Sequence, residues 1–244
     1  MPKSKFDGFD KFNKHKKYSL VRGIFDSVYS HYDLMNDLMS LGLHRLWKQR
    51  MISVLNPKKN ANIIDMAGGT ADIAALLVNS SSSKVTVCDA SYSMLSQGRY
   101  KLIDRNILDN LNWVCCAAES LPFDDDYFDY YTVSFGLRNF SSPSLALKEA
   151  WRVLKPGGKF VCLEFSHISV FKRLYSAYLN NVIPKIGKLV TGNYSAYEYL
   201  AESIEQFYTQ EELVHLIKKA GFSSVSFSNM ACGIVAFHVA FKDL

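Results

Sequence analysis

The 244-residue sequence has no stretch of about 18 consecutive apolar residues, so no helix is expected to span a bilayer. No apolar run follows the first residues, so no secretory signal is expected. The five cysteines, Cys88, Cys115, Cys116, Cys162 and Cys232, form no C-x-x-C pair and are odd in number. Nothing in their spacing suits zinc, and no metal is expected. Several fall in apolar runs, as buried thiols in a reducing compartment do. No stripe of basic residues interleaved with aromatics is available to track a nucleic acid. Internal repeats are absent, and so is a G-x-G-x-x-G turn.

What is present is ordinary in proportion. Apolar residues make up 48% and charged residues 21%, which argues against a disordered, collagenous or coiled-coil chain. A chain of this length buries roughly 70–75% of its unfolded surface and needs no disulfide or metal staple. Lys and Arg total 28 against 23 Asp and Glu, a formal charge of +5. Much of the excess lies at Lys3, Lys5, Lys11, Lys14, Lys16, Lys17 and Arg22. Residues 1–20 are expected to form a solvated basic tail, or to contact anionic lipid at about 1 kcal/mol per basic residue. Residues 21–244 are expected to form one domain.

From Val21 to Leu55 apolar residues recur at helical steps, interrupted at Gly42 and closed by Pro57. Ala61–Met66, Lys84–Asp89, Leu111–Cys116, Phe128–Ser134 and Lys159–Phe165 have the length and composition of buried strands. Helical patterns separate them: one through Ala74, Leu77 and Val78, one over Ser91–Arg105, and one from Ser142-Pro143 to about Leu154. Ser142 is read as a capping serine, with proline at the first helical position. Ser80 to Ser83 are expected as loop. A helical region divided by Pro184 and Gly192 runs from Ser169 to about Tyr208. Gln210–Ala220 is a further helix closed by Gly221. Ser224–Asn229 and Ile234–Phe241 flank Cys232-Gly233 as an antiparallel pair. Strand alternating with helix predicts an α/β fold with a parallel, doubly wound sheet. Its ligand crevice lies at the carboxyl ends of the strands.

Asp65-Met66-Ala67-Gly68-Gly69-Thr70 joins the first of these strands to a helix. Glycines there permit a tight turn and close approach of a ligand to the backbone. The helix start offers unpaired N–H groups to an anion. Asp89 ends the next strand about twenty residues on, where an acid accepts hydrogen bonds from ribose hydroxyls. A bare turn with a helix-capping Asp89 is the plainer alternative. A dinucleotide oxidoreductase is disfavoured, because Gly68 and Gly69 are adjacent and the later position is Asp72. S-adenosylmethionine carries a carboxylate instead of a pyrophosphate, and a shorter glycine turn can hold it.

Two longer segments are more specific. One runs through Phe25-Asp26-Ser27-Val28, Tyr32-Asp33-Leu34-Met35-Asn36-Asp37 and Ser40-Leu41-Gly42-Leu43-His44-Arg45-Leu46-Trp47-Lys48. The other is Ser134-Phe135-Gly136-Leu137-Arg138-Asn139. Arg152-Val153-Leu154-Lys155-Pro156-Gly157-Gly158 through Leu163-Glu164-Phe165-Ser166 adds a segment common to many methyltransferases. With these, the chain from about Val21 onward resembles the ubiquinone/menaquinone C-methyltransferase family. The resemblance implies a class I S-adenosylmethionine-dependent methyltransferase: a Rossmann-like, seven-stranded, mostly parallel sheet with a terminal antiparallel strand. N-terminal helices (21–55) and a helical insertion (167–208) would form a lid. It implies S-adenosylmethionine as cofactor, held by Asp65, Gly68, Gly69, Thr70, Asp89, Ala117, Ala118 and Ser134. The acceptor implied is a polyprenylated quinol, either 2-methoxy-6-polyprenyl-1,4-benzoquinol or demethylmenaquinol. Two positions depart from the family pattern: Ala71, where glycine is usual, and Ala117, where Asn or Asp is frequent. An alanine side chain cannot hydrogen-bond adenine, though its backbone can.

Methylation at a ring carbon favours an ionised hydroxyl. A free phenol titrates near 10, so ionising it at pH 7 costs about 4 kcal/mol, and a nearby cation lowers that cost. Arg138, with Asn139 beside it, is expected at the crevice edge as a phenolate stabiliser, or as a loop anchor bound to a carboxylate. Guanidinium itself is a poor base. His31, Asp33 and His44 are candidate bases. Tyr32, Asn36, His44 and Trp47 are candidate substrate-binding residues, or packing residues of the helices. A homodimer, a quinone-biosynthesis complex and peripheral contact with the inner face of a bacterial membrane are the expected associations of a cytoplasmic protein. A non-catalytic scaffold that has kept the fold is the alternative.

Overall fold

The computed structural model describes residues 42–166 and 194–244 without a break, together with positions 19, 21, 23, 24, 36, 37, 40, 178, 182 and 185. Helix α1 (His44–Leu55) leads into β1 (Asn62–Met66), α2 (Asp72–Ser81), β2 (Lys84–Asp89), α3 (Tyr92–Asp104), β3 (Leu111–Cys115) and β4 (Phe128–Ser134). A 3-10 turn (Leu137–Asn139), α4 (Pro143–Val153) and β5 (Leu154–Phe165) follow. Helix α5 (Tyr194–Glu205), α6 (Gln210–Lys219), β6 (Ser223–Met230) and β7 (Val235–Phe241) complete the described chain. The strands form one seven-stranded sheet in the order β3-β2-β1-β4-β5-β7-β6. β1 pairs parallel with β2 and β4, β2 with β3, and β4 with β5. β7 runs antiparallel between β5 and β6. This is the expected class I methyltransferase sheet.

Alternation along each strand distributes the core over two faces. Ile63, Val85, Val87, Val161 and Leu163 point toward Met51 and Leu55 of α1 and Leu77 of α2. Ile64, Met66, Val133, Phe160 and Cys162 point toward Leu147 and Ala150 of α4 and Leu213 and Ile217 of α6. Strands covered on both faces are apolar at nearly every position, which is why they stand out in the sequence.

Several boundaries differ from the sequence pattern for local reasons. β5 begins at Leu154, which pairs with Phe128; a register shift then brings Lys159 opposite Tyr130. The Lys-Pro-Gly-Gly segment is therefore an irregularity within the strand, with Gly157 at φ 74°. Ser142 precedes α4 without a side-chain cap; its N–H instead donates to Glu119 Oε1 at 2.9 Å. Ser80 and Ser81 belong to α2, where both hydroxyls donate to the Leu77 carbonyl. All five cysteines are free; Cys88 and Cys162 are buried as expected, but Cys115, on an edge strand, and Cys232 are exposed. Most of the first helical segment, the basic tail and most of 167–193 lie outside the described residues. Among the described residues, no helix is long and apolar enough to cross a membrane, and no cluster of His, Cys, Asp or Glu could hold a metal.

Candidate functional site

The turn after β1 is built on left-handed backbone. Ala67 (φ 55°), Gly69 (φ 51°) and Ala71 (φ 63°) all lie in the region that disfavours a Cβ. Glycine suits it at Gly69; the two alanines hold it only because their surroundings enforce it. Asp89 supplies part of that enforcement. Its Oδ2 accepts from Gly69 N–H at 3.0 Å, and its Oδ1 accepts from Ser91 N–H at 2.9 Å. Ser91 in turn caps α3, accepting from Met94 N–H.

Two further glycines bring neighbouring elements against this turn. A Cβ on Gly98, inside α3, would lie 2.7 Å from the Gly69 carbonyl oxygen. A Cβ on Gly136, just past β4, would lie 2.4 Å from Ala67 Cβ. A glycine inside an otherwise helical run is itself a sign of close packing.

Between the turn and the end of β4 lies a pocket that is partly open to solvent. Gly69, Asp89, Ala117, Ala118 and Asn139 line it. So do Met66, Met94, Glu119, Phe135 and Phe140, which were not singled out as site residues, and Val21 from the N-terminal segment. A Cβ at Gly69 would come 3.0 Å from Met94 Cε, the movable end of a flexible side chain, so it is the left-handed backbone that calls for glycine there. Apolar walls with carboxylates at one side fit an adenosine that carries a sulfonium.

Asp65, Gly68, Thr70, Ser134 and Arg138 stand behind the lining. Asp65 is almost wholly enclosed, at 1% exposure. Its Oδ1 accepts from Thr132 Oγ1 at 2.9 Å, while its Oδ2 has no hydrogen-bond partner among the described residues. Burial pushes its carboxyl up to about 7. Ser134 Oγ is likewise buried and unpartnered there. These two orphaned groups lie at the carboxyl ends of β1 and β4, where a polar ligand would approach.

Arg138 is not an open cation at the crevice edge. It is 7% exposed, and its Nη1 donates to Glu164 Oε1 and to the Phe135 carbonyl, each at 2.6 Å. Glu164 is buried to 1% exposure; burial raises its pKa against the opposing pull of Arg138. The guanidinium also lies 5.3 Å over the Phe165 ring. The arrangement matches the loop-anchor alternative, because the 3-10 turn that carries Asn139 is tied down through Arg138. Asn139 remains at the cavity. Its Nδ2 donates to the Phe135 carbonyl at 3.4 Å, and its Oδ1 accepts from Tyr199 O–H at 3.2 Å.

His31, Tyr32 and Asp33 lie outside the described residues. Asn36 is buried and its carbonyl accepts from Ser40 Oγ. His44 is buried and pairs with Asp37 at 2.9 Å. Burial, with Lys48 nearby, lowers its pKa, and it does not line the cavity. Trp47, 3% exposed, packs on Phe135 and edge-on against Phe165. Its place is behind the cavity wall rather than in the mouth.

Comparison with known proteins agrees with this geometry. The ubiE/COQ5 methyltransferase family matches residues 11–242. The protein named ubiquinone/menaquinone biosynthesis C-methyltransferase UbiE in Rickettsia bellii (strain OSU 85-389) is 48% identical, over 96% of this chain and 97% of its own. The protein of that name in Rickettsia africae (strain ESF-5) is also 48% identical, over 97% and 98%. Among solved structures, a SAM-dependent methyltransferase of Thermotoga maritima superimposes with a TM-score of 0.67 at 20% identity, covering 91% of this chain and 99% of that one. A putative methyltransferase in complex with the Haloferax volcanii Trm112 activator gives 0.68 at 15% identity, covering 90% and 98%. This chain is an S-adenosylmethionine-dependent methyltransferase and belongs to the ubiE/COQ5 methyltransferase family.

Proposed function

We propose that the chain transfers a methyl group to a ring carbon of a prenylated quinol in ubiquinone or menaquinone biosynthesis. The observation that carries this reading is the convergence of Gly69, Asp89 and Asn139 on one cavity, in a chain 48% identical to proteins bearing the UbiE name. When bound, S-adenosylmethionine supplies an electrophilic methyl on a sulfonium. Asp89 would accept from the ribose hydroxyls, the Gly69 turn would hold the carboxylate end, and the Ala117-Ala118 backbone would serve the adenine. Asp65, Thr70 and Ser134 support that turn.

On the acceptor side, Asn139 offers an amide N–H to the quinol oxygen as it ionises. Arg138 and Glu164 hold the turn on which Asn139 sits. His31 and Asp33 are the candidate proton acceptors, with Tyr32 on the same segment. Attack of an ionised ring on a sulfonium neutralises both charges, so a site that excludes water favours it. A prenylated acceptor resides in a bilayer, which favours peripheral contact of this protein with a membrane surface.

The test is transfer of labelled methyl from S-adenosylmethionine to chemically reduced short-chain benzoquinol and naphthoquinol, run side by side. Labelled ring product is expected, and the acceptor that carries it names the pathway. Binding of S-adenosylmethionine without transfer to either quinol would overturn the quinol as acceptor.

A further inference from the structure

Asn139 ends in an amide whose two heads have opposite polarity. Which head meets the acceptor decides whether the site attracts or repels an anionic oxygen. The surroundings settle the orientation. The Phe135 carbonyl oxygen, 3.4 Å away, can only accept, so the amide turns Nδ2 toward it. Oδ1 then faces Tyr199, whose hydroxyl donates to it at 3.2 Å. With Oδ1 held, the second N–H of Nδ2 is left for the cavity that Asn139 lines. Rotation of the amide would set Oδ1 against the Phe135 carbonyl, acceptor against acceptor, and would present a carbonyl to the ligand.

Tyr199 is well placed to enforce this. It sits on α5 and is 3% exposed. Arg138 and Glu164 are the charged groups near it, and burial raises its pKa, so it keeps its proton as a donor. Phe135, whose carbonyl fixes the other end, is itself a bulky residue held at φ 55°. Such a conformation persists only where the surroundings over-determine it. Trp47 and Phe165 pack against its ring.

We infer that Tyr199 is a positioning residue: through its hydrogen bond to Oδ1 it aims the Asn139 amide N–H at the acceptor hydroxyl, so that the site prefers the ionised ring. This rests on the reading of the acceptor as a hydroxylated ring. A flipped amide can still accept from a neutral hydroxyl. Loss of Tyr199 therefore weakens binding of the phenolate while leaving binding of the phenol nearly intact.

The test uses the full chain loaded with S-adenosylhomocysteine and 4-nitrophenol as acceptor analogue, whose phenolate absorbs visible light. The intact protein is expected to lower the apparent pKa of bound nitrophenol. Tyr199→Phe and Asn139→Ala each raise it, by an amount matching about a tenfold loss of phenolate affinity. The double variant does no more than Asn139→Ala alone, because one residue acts through the other. A parallel melting curve and S-adenosylhomocysteine affinity, both expected unchanged in Tyr199→Phe, separate positioning from folding. In methyl transfer, Tyr199→Phe is expected to lower kcat about tenfold with KM nearly constant. An unshifted nitrophenol in the intact protein, no effect of Tyr199→Phe, or additive effects in the double variant would each overturn the proposal. Absence of methyl transfer with the nitrophenol shift intact would overturn the proposed reaction and leave the aiming of Asn139 standing.

Discussion

The centre of the sheet and its β7–β6 edge use left-handed backbone differently. At the centre, after β1 and β4, Ala71 and Phe135 adopt positive φ while wholly enclosed, at 0% and 4% exposure. The Asp65 carboxyl on β1 is also buried there, and its Oδ2 has no hydrogen-bond partner among the described residues. At the β7–β6 end, Ser224 (φ 48°) and Cys232 (φ 55°) adopt the same conformation in exposed positions. There the helix signals are conventional: α6 opens with a reciprocal capping box between Thr209 and Glu212. Exposed turns relax readily. A strained residue inside a packed wall is held at about 1–3 kcal/mol. The centre keeps a shaped, under-satisfied cradle at the expense of stability, while the β7–β6 edge contributes stability and no residue to the cavity lining.

The sharpest way to break this contrast is Asp65→Asn. The buried Asp65 carboxyl has a folded pKa of about 7 against 3.8 for the unfolded group. The folded state therefore holds the proton more tightly. Stability from this group is full below about pH 4 and is lost as pH rises through 7. Asn cannot ionise, and it can still accept from Thr132. The variant should gain on the wild type by about 3 kcal/mol as pH rises from 5 to 8. Denaturant titrations across that range measure it. The same change should weaken S-adenosylmethionine binding more than tenfold, since Oδ2 lies against the Gly68 turn. A stability difference that does not vary with pH would mean that Asp65 is not held protonated.

Smaller effects should follow at the neighbouring positions. Asp89→Ala removes a carboxylate expected to bind two ribose hydroxyls, and calorimetry should show about a hundredfold loss of S-adenosylmethionine affinity. It also frees the N–H groups of Gly69 and Ser91, so some loss of melting temperature accompanies it. Gly98→Ala tests the packing. In an open helix the change would add about 1 kcal/mol. Here the new methyl meets the Gly69 carbonyl oxygen. A net loss of about 1–2 kcal/mol is expected, with about tenfold weaker cofactor binding. A stabilised variant with unchanged affinity would show that α3 does not brace the turn.

Much of this was legible in the residues. The strands are apolar runs because helices cover both faces, and the turn after β1 declared itself through Gly68, Gly69 and the strand-end Asp89. Patterns could not show what depends on distance in space. Arg138 could be either a cation facing the crevice or a loop anchor on a carboxylate, and the sequence could not choose because its partner Glu164 is remote in the chain. Ala67 and Phe135 gave no hint of positive φ, because propensity assigns that conformation to glycine and asparagine; only Ala71, standing where the resembled family usually has glycine, carried one. Trp47 and His44 stood in a distinctive segment and were open to two readings, the substrate mouth or helix packing. Trp47 packs into the wall, and His44 is sheltered with Asp37. Ser142 had the form of a helix cap, but its hydroxyl makes no cap bond, and its N–H donates to Glu119 from another loop.

The smallest expected effect sets the other side of the contrast. Thr209 accepts from Glu212 N–H, and Glu212 accepts from Thr209 N–H, so the first turn of α6 has two of its open donors satisfied. Thr209→Ala removes one of those bonds and should cost about 1 kcal/mol, read as a lower denaturation midpoint with an unchanged slope. Leu213 and Ile217 of α6 pack on the same sheet face as Met66 and Val133, so the helix is not mechanically isolated from the cavity. Cofactor affinity should nevertheless hold, because α6 contributes no residue to the lining and a packed core transmits a lost cap as reduced stability rather than as a reshaped turn. A fall in affinity matching the fall in stability would mean that the cradle and the β7–β6 end loosen as one unit.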